Sequence, residues 1–129
     1  MTIVIGSVIF AALMIFITKA PLAAAMNKLE GGYDNATPRA QQDRLDGFGL
    51  RARGAHENSI EAFPLFAIGV LLALWAEASL EQMQILCLAF VVARIAYCVF
   101  YWIDQDKLRS TAWFVGVGSS IWLMTLALP

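Results

Sequence analysis

Four long apolar runs in a chain of 129 residues leave few folds open to it. Lipid admits only structures that pair every backbone polar group internally, and a helix needs about 20 residues to cross ~30 Å of hydrocarbon. Residues 2–26 form the first run, interrupted only by Lys19 and Pro21; residues 85–103 and 111–129 supply two more. The remaining run, Ala62 to Ala76, is too short to cross alone. To reach full length it must draw in the preceding His56-Glu57-Asn58-Ser59-Ile60-Glu61, which brings polar groups to membrane depth. Composition agrees: 60% of residues are hydrophobic and 15% charged, with a mean hydropathy of +0.67, against roughly 45–50% and about 25% for soluble domains. The expectation is an all-α integral membrane protein, one domain over residues 1–129 with spans at 2–26, 56–77, 82–103 and 110–128. The connections after spans two and three are short, so the spans should form an up-down four-helix bundle.

Several functions are excluded early. Nine basic against ten acidic residues give no field to hold nucleic acid. Two cysteines and one histidine cannot fill a zinc cage, so no metal site is expected. Cys87 and Cys98 lie in one helical run, about 16 Å apart along its axis, too far for a disulfide. The first run lacks a basic start and is too long for a cleaved leader. Lys19, Lys28, Arg39, Arg44, Arg51 and Arg53 precede or occupy the first connection (about 27–50), Lys107 and Arg109 the third, and none the second. Connections one and three should therefore be cytoplasmic and both termini on the other side. Within the first connection, Gly31-Gly32 and Asp34-Asn35 read as turns, and Pro38 can open a short helix.

Arg94 is the charge that does not belong, with nine largely apolar residues on either side of it. An arginine at mid-span costs about 2.5–3.5 kcal/mol on insertion scales, so it should face the bundle interior and find a partner. Helix rise puts Glu61 at a similar depth, which predicts a Glu61–Arg94 pair inside the bundle. A pair that only fixes helix register is the plainer alternative. Around it, Arg94, Tyr97, Cys98 and Tyr101 stand on one helical stripe, and Arg51, Gly54, Asn58 and Glu61 on another. Arg109 and Ser110 sit at the start of span four, at the mouth of the resulting groove. Such a groove suits a small zwitterionic or acidic ligand, since an arginine fork grips a carboxylate and a guanidinium favours thiolate over thiol. His56 lies off the stripe and reads as a helix–helix or headgroup contact; Pro64 should bend span two, and Gly116 with Ser120 marks close packing in span four.

The run Arg51-Ala52-Arg53-Gly54-Ala55-His56-Glu57-Asn58-Ser59-Ile60-Glu61-Ala62-Phe63-Pro64-Leu65-Phe66 resembles the signature of the MAPEG family, the membrane-associated proteins in eicosanoid and glutathione metabolism. Tyr33-Asp34-Asn35 with Pro38-Arg39 is similar to the long first connection of bacterial members. The resemblance implies a homotrimer in a bacterial inner membrane, with glutathione bound between neighbouring subunits near the cytoplasmic side. It assigns the thiol-activating role to Arg109, with Ser110 beside it, and glutathione binding to Asn58, Glu61, Arg94, Tyr97 and Tyr101, helped by Arg51 and Arg53. The chain departs from eicosanoid-forming members at Gly54 and Glu57, where arginines stand in them, so positive charge is missing from the cradle.

Three functions follow as expectations. The first is a glutathione-dependent transferase or peroxidase acting on lipophilic electrophiles that enter from the bilayer. The second is a non-catalytic relative that binds a lipid or a partner helix in the same groove, favoured by Gly54 and Glu57. The third is a small proton-coupled exporter using Glu61, disfavoured because Arg94 nearby would keep that carboxylate ionised.

Overall fold

The computed structural model describes residues 1–129 and contains helices only: α1 (Thr2–Asn27), α2 (Pro38–Gln42), α3 (Gly47–Trp75), α4 (Leu80–Trp102) and α5 (Asp106–Thr125). The four long helices alternate in direction. Both termini and the 76–79 turn lie at one end of the bundle, and residues 28–46 and 103–105 at the other, here termed the connection end. By length and apolarity α1, α3 and α4 each suffice to cross a membrane. The fourth helix, α5, is 20 residues long but more polar, with Arg109, Ser110, Thr111, Ser119 and Ser120 along it. It packs extensively on α4 and on α3, while α1 packs on α3.

The outward faces are apolar: Phe16, Leu71, Trp75, Val92, Phe114 and Trp122 are all exposed. In water such a surface would be untenable; in a bilayer it is the solvent-matched face. The largest core cluster lies at the end away from the connection, where Phe66 of α3 stacks on Phe90 of α4 with ring centroids 3.8 Å apart, among Val70, Ala73, Met83 and Cys87. Cys87 and Cys98 are both free and buried.

Two tight turns set the helix directions without glycine. Glu77 (φ 53°) and Asp104 (φ 64°) take left-handed conformations. After each, an amide reaches back five residues, Ala78 N–H to the Ala73 carbonyl at 3.0 Å and Gln105 N–H to the Phe100 carbonyl at 2.8 Å. This caps the helix end by satisfying carbonyls of its last turn.

The second long helix extends well before the expected span, carrying the Arg51, Gly54, Asn58 and Glu61 stripe in one element as the spacing implied. α3 starts at Gly47 rather than near residue 56, so Arg51, Arg53, Gly54 and His56 all lie on it, and it continues through Pro64. The connection is correspondingly shorter and is tied down by Gln41, which is 4% exposed. Its amide nitrogen donates to the Gly32 carbonyl (2.6 Å) and the Met26 carbonyl (3.4 Å), and its oxygen accepts from the Asp34 amide (3.0 Å). Asp34 in turn accepts from the Ala36 and Thr37 amides and from the Thr37 hydroxyl (2.7 Å). These bonds, the hydroxyl first, hold its carboxyl below the usual aspartate range. Pro38 opens α2 at its first turn, as its fixed φ and missing N–H favour.

Candidate functional site

Arg94 is 4% exposed on α4 and faces α3, as its cost in lipid requires. Its Nη1 donates to the Asn58 side-chain oxygen at 2.8 Å, and its Nη2 reaches the Ser59 hydroxyl at 3.4 Å. The Asn58 amide nitrogen then donates to a Glu61 carboxylate oxygen at 3.1 Å. The direct Glu61–Arg94 pair expected from depth is not formed: the three ion pairs of the molecule involve Arg51 and Arg53 only. Asn58 is interposed because its amide is polarised the right way round, oxygen toward the guanidinium and N–H toward the carboxylate. Being three residues apart, Asn58 and Glu61 share a face of α3, with Glu61 left exposed on the surface.

From Arg94 the site continues toward the connection end through two aromatic rings to a second cation. The Arg94 guanidinium lies 4.5 Å from the Tyr97 ring centre, and Tyr97 meets Tyr101 edge-on at 5.6 Å and 84°. The Arg109 guanidinium lies 4.5 Å from the Tyr101 ring centre. A guanidinium over an aromatic face is attracted by the ring quadrupole, the more so where water is scarce. The structure thus brings together Asn58, Glu61, Arg94, Tyr97, Tyr101 and Arg109.

Three expected site residues lie elsewhere. Arg51 reaches Asp104 in the α4–α5 turn at 3.6 Å. Arg53 is held by Asp43 at 2.7 Å and by Glu57 at 2.8 Å. The Ser110 hydroxyl donates to the Asp106 carbonyl within its own helix at 3.0 Å. His56 makes the helix–helix contact expected of it, its Nδ1 standing 3.2 Å from the Thr18 hydroxyl on α1. The same hydroxyl donates to the Met14 carbonyl of its own helix at 2.7 Å.

Sequence reasoning missed Ser59, whose hydroxyl donates to the Ala55 carbonyl and accepts from Arg94. Its only signal was adjacency to Asn58 in the polar lead-in to span two. A cavity of about 90 Å³ opens beside the cluster, lined by Asn58, Glu61, Arg94, Phe90, Trp113 and Ser120 among others. That is room for about three waters, not for a tripeptide. A second, more polar cleft of about 390 Å³ lies between α1, α2 and α3, lined by Lys19, Arg39, Gln42, Arg53, His56 and Glu57. The two concavities share no residue. No three His, Cys, Asp or Glu side chains stand close enough together to bind a metal ion.

The sequence model of the MAPEG family matches residues 3–129, essentially the whole chain. The chain belongs to the MAPEG family. The family includes glutathione transferases and peroxidases as well as non-catalytic members. No curated protein and no solved structure matches the chain. For this MAPEG protein the helical bundle and the membrane-spanning helices are therefore consistent from sequence, family and fold alike.

Proposed function

We propose that this MAPEG protein is a glutathione-dependent membrane transferase or peroxidase acting on lipophilic electrophiles that arrive through the bilayer. The observation that carries the reading is the state of Arg109. Its guanidinium rests on a ring face, takes part in no ion pair and makes no side-chain hydrogen bond, so its donors are free for an anion. Glutathione supplies a thiol as the nucleophile. Arg109 stabilises the thiolate form, because a nearby guanidinium lowers a thiol pKa from its ordinary value of about 8.5. Arg94, with Asn58 and Glu61, offers both donors and an acceptor for the zwitterionic peptide, and Tyr97 and Tyr101 line its course. Arg51, Arg53 and Ser110 belong to the surroundings of the site through the family resemblance, and their own contacts give them structural work.

The small cavity and the exposed Glu61 support a homotrimer in which a neighbouring subunit completes the site. A carboxylate at mid-span is costly against acyl chains and is covered when copies associate. The distribution of Lys and Arg supports a cytoplasmic connection end with both termini on the opposite face of the membrane, which the family resemblance suggests is a bacterial inner membrane.

Purified protein in detergent should conjugate a generic electrophile such as 1-chloro-2,4-dinitrobenzene, and Arg109→Ala should reduce the rate by at least about 100-fold, the scale of losing one charge-stabilising donor. Absence of glutathione binding by calorimetry at millimolar ligand overturns the reading. A specific observation favours a second one, a non-catalytic member holding a lipid or a partner helix: Glu57 occupies Arg53 instead of adding charge to the cradle. Co-purified lipid in the groove without thiol reactivity selects it.

A further inference from the structure

Gly54 lies inside α3, where glycine weakens a helix relative to alanine, and it does not adopt the left-handed backbone that would require it. Its reason is steric. A Cβ at position 54 would overlap the Tyr101 hydroxyl and come within 2.6 Å of the ring carbon that bears it. The bare backbone at 54 is therefore a notch, and the Tyr101 phenol fills it. The phenol end of Tyr101 thus rests against α3, its ring meets Tyr97 at 84°, and the Arg109 guanidinium sits 4.5 Å from its ring centre.

We propose that Tyr101, seated in the notch at Gly54, is the positioning residue for Arg109, holding the guanidinium by its ring face so that the N–H donors stay free for the thiolate. The inference rests on the reading of Arg109 as the thiolate-stabilising group. The missing side chain at 54 is then the other half of a tyrosine–arginine support built from α3, α4 and α5. A guanidinium bound through a carboxylate would spend donors and charge on its holder; one bound through a ring spends neither.

Two measurements test this. In ligand-free protein with ¹⁵N-labelled arginine, the Arg109 side-chain N–H resonance should be shifted upfield by the Tyr101 ring. Tyr101→Leu and Gly54→Ala should abolish the shift, and Tyr101→Phe should preserve it. In the complex, the thiolate absorbance of bound glutathione is followed against pH. Tyr101→Leu should raise the bound thiol's pKa by about one unit, on the scale of a desolvated cation–ring contact. Gly54→Ala should raise it by the same amount, and the Gly54→Ala/Tyr101→Leu double variant by no more than either alone. Tyr101→Phe, which restores the ring, should recover most of the depression. In the Arg109→Ala background, Tyr101→Leu should have no further effect. Affinity for S-hexylglutathione, which has no ionisable thiol, should move far less than the pKa.

An unshifted Arg109 resonance in the unsubstituted protein overturns the proposal, as does a Tyr101→Phe variant that behaves like Tyr101→Leu, since the hydroxyl would then be the group that acts. A normal resonance shift with no depression of the glutathione thiol pKa overturns the catalytic reading of Arg109 and the role proposed for Tyr101 in it, while leaving the Gly54–Tyr101–Arg109 support as a structural fact.

Discussion

The half of the bundle around Phe66 and the half around Arg94 are built from the same helices, α3, α4 and α5, in opposite ways. Around Phe66 the packing is tight: Phe66 and Phe90 are 0% and 2% exposed, and the backbones of α3 and α5 approach closely at Gly69 and Ser120. Around Arg94 the buried cation is satisfied by neutral groups, Glu61 stays exposed and Arg109 has no ionic partner. One half is finished within a single chain, and the other is left with unspent polar capacity. That asymmetry is why the ligand is proposed to bind at the Arg94 half, since polar groups left without partners are the ones that gain most from a further contact.

The contrast can be broken most directly with Phe66→Ala. Loss of the stacked ring should cost about 3–5 kcal/mol of stability, read by thermal unfolding in detergent, while any bound-ligand increment in the midpoint persists. A loss below about 1 kcal/mol would mean that the apolar half is not the stabilising one. Next in size is Gly69→Ala. A Cβ there would lie 2.7 Å from the Ser120 carbonyl oxygen and 3.1 Å from Leu123 Cβ, so overpacking should cost about 1–3 kcal/mol. Gly116→Ala is its control: the nearest atoms stand at 3.8 Å, so the substitution should be neutral or slightly stabilising.

Asn58→Ala sharpens the comparison from the other side. It removes one hydrogen bond each from Arg94 and Glu61, which should cost about 1–3 kcal/mol in stability but most of the glutathione affinity measured by calorimetry. Equal losses of ligand binding in Phe66→Ala and Asn58→Ala would erase the division of labour. The smallest effect lies outside both halves, at Asp34. Its carboxyl pKa is lowered in the folded chain, so its contribution is present above the ordinary aspartate range and is lost as pH falls through the lowered value. The amide shifts of Ala36 and Thr37 should titrate with a midpoint below that range, and Asp34→Asn should remove the titration.

Much of this was legible in the chain. Apolar run lengths gave the long helices, and helical periodicity put Asn58 and Glu61 on one stripe and Arg94, Tyr97 and Tyr101 on another. The same reasoning misjudged the partner of Arg94. Depth along two helices does not say which of two acceptors, a turn apart on α3, meets the guanidinium, and the nearer one proved to be the amide. The stripe through Arg51 also oversimplified, because Asp104 sits in a left-handed turn that no glycine announces. The small-residue pair Gly116 and Ser120 was half informative: Ser120 is at a close approach, but its counterpart is Gly69 on another helix.

Local order along the sequence determined that this protein is helical, that it belongs in lipid, and which residues share a helix face, since hydrophobicity and a 3.6-residue period act within one segment. Only the packing of α3, α4 and α5 decided that Asn58 mediates between Arg94 and Glu61 and that Tyr101 fills the space over Gly54. Those outcomes turn on separations of an ångström or two between residues 36 to 47 positions apart, set by helix crossing and rotation rather than by any local preference.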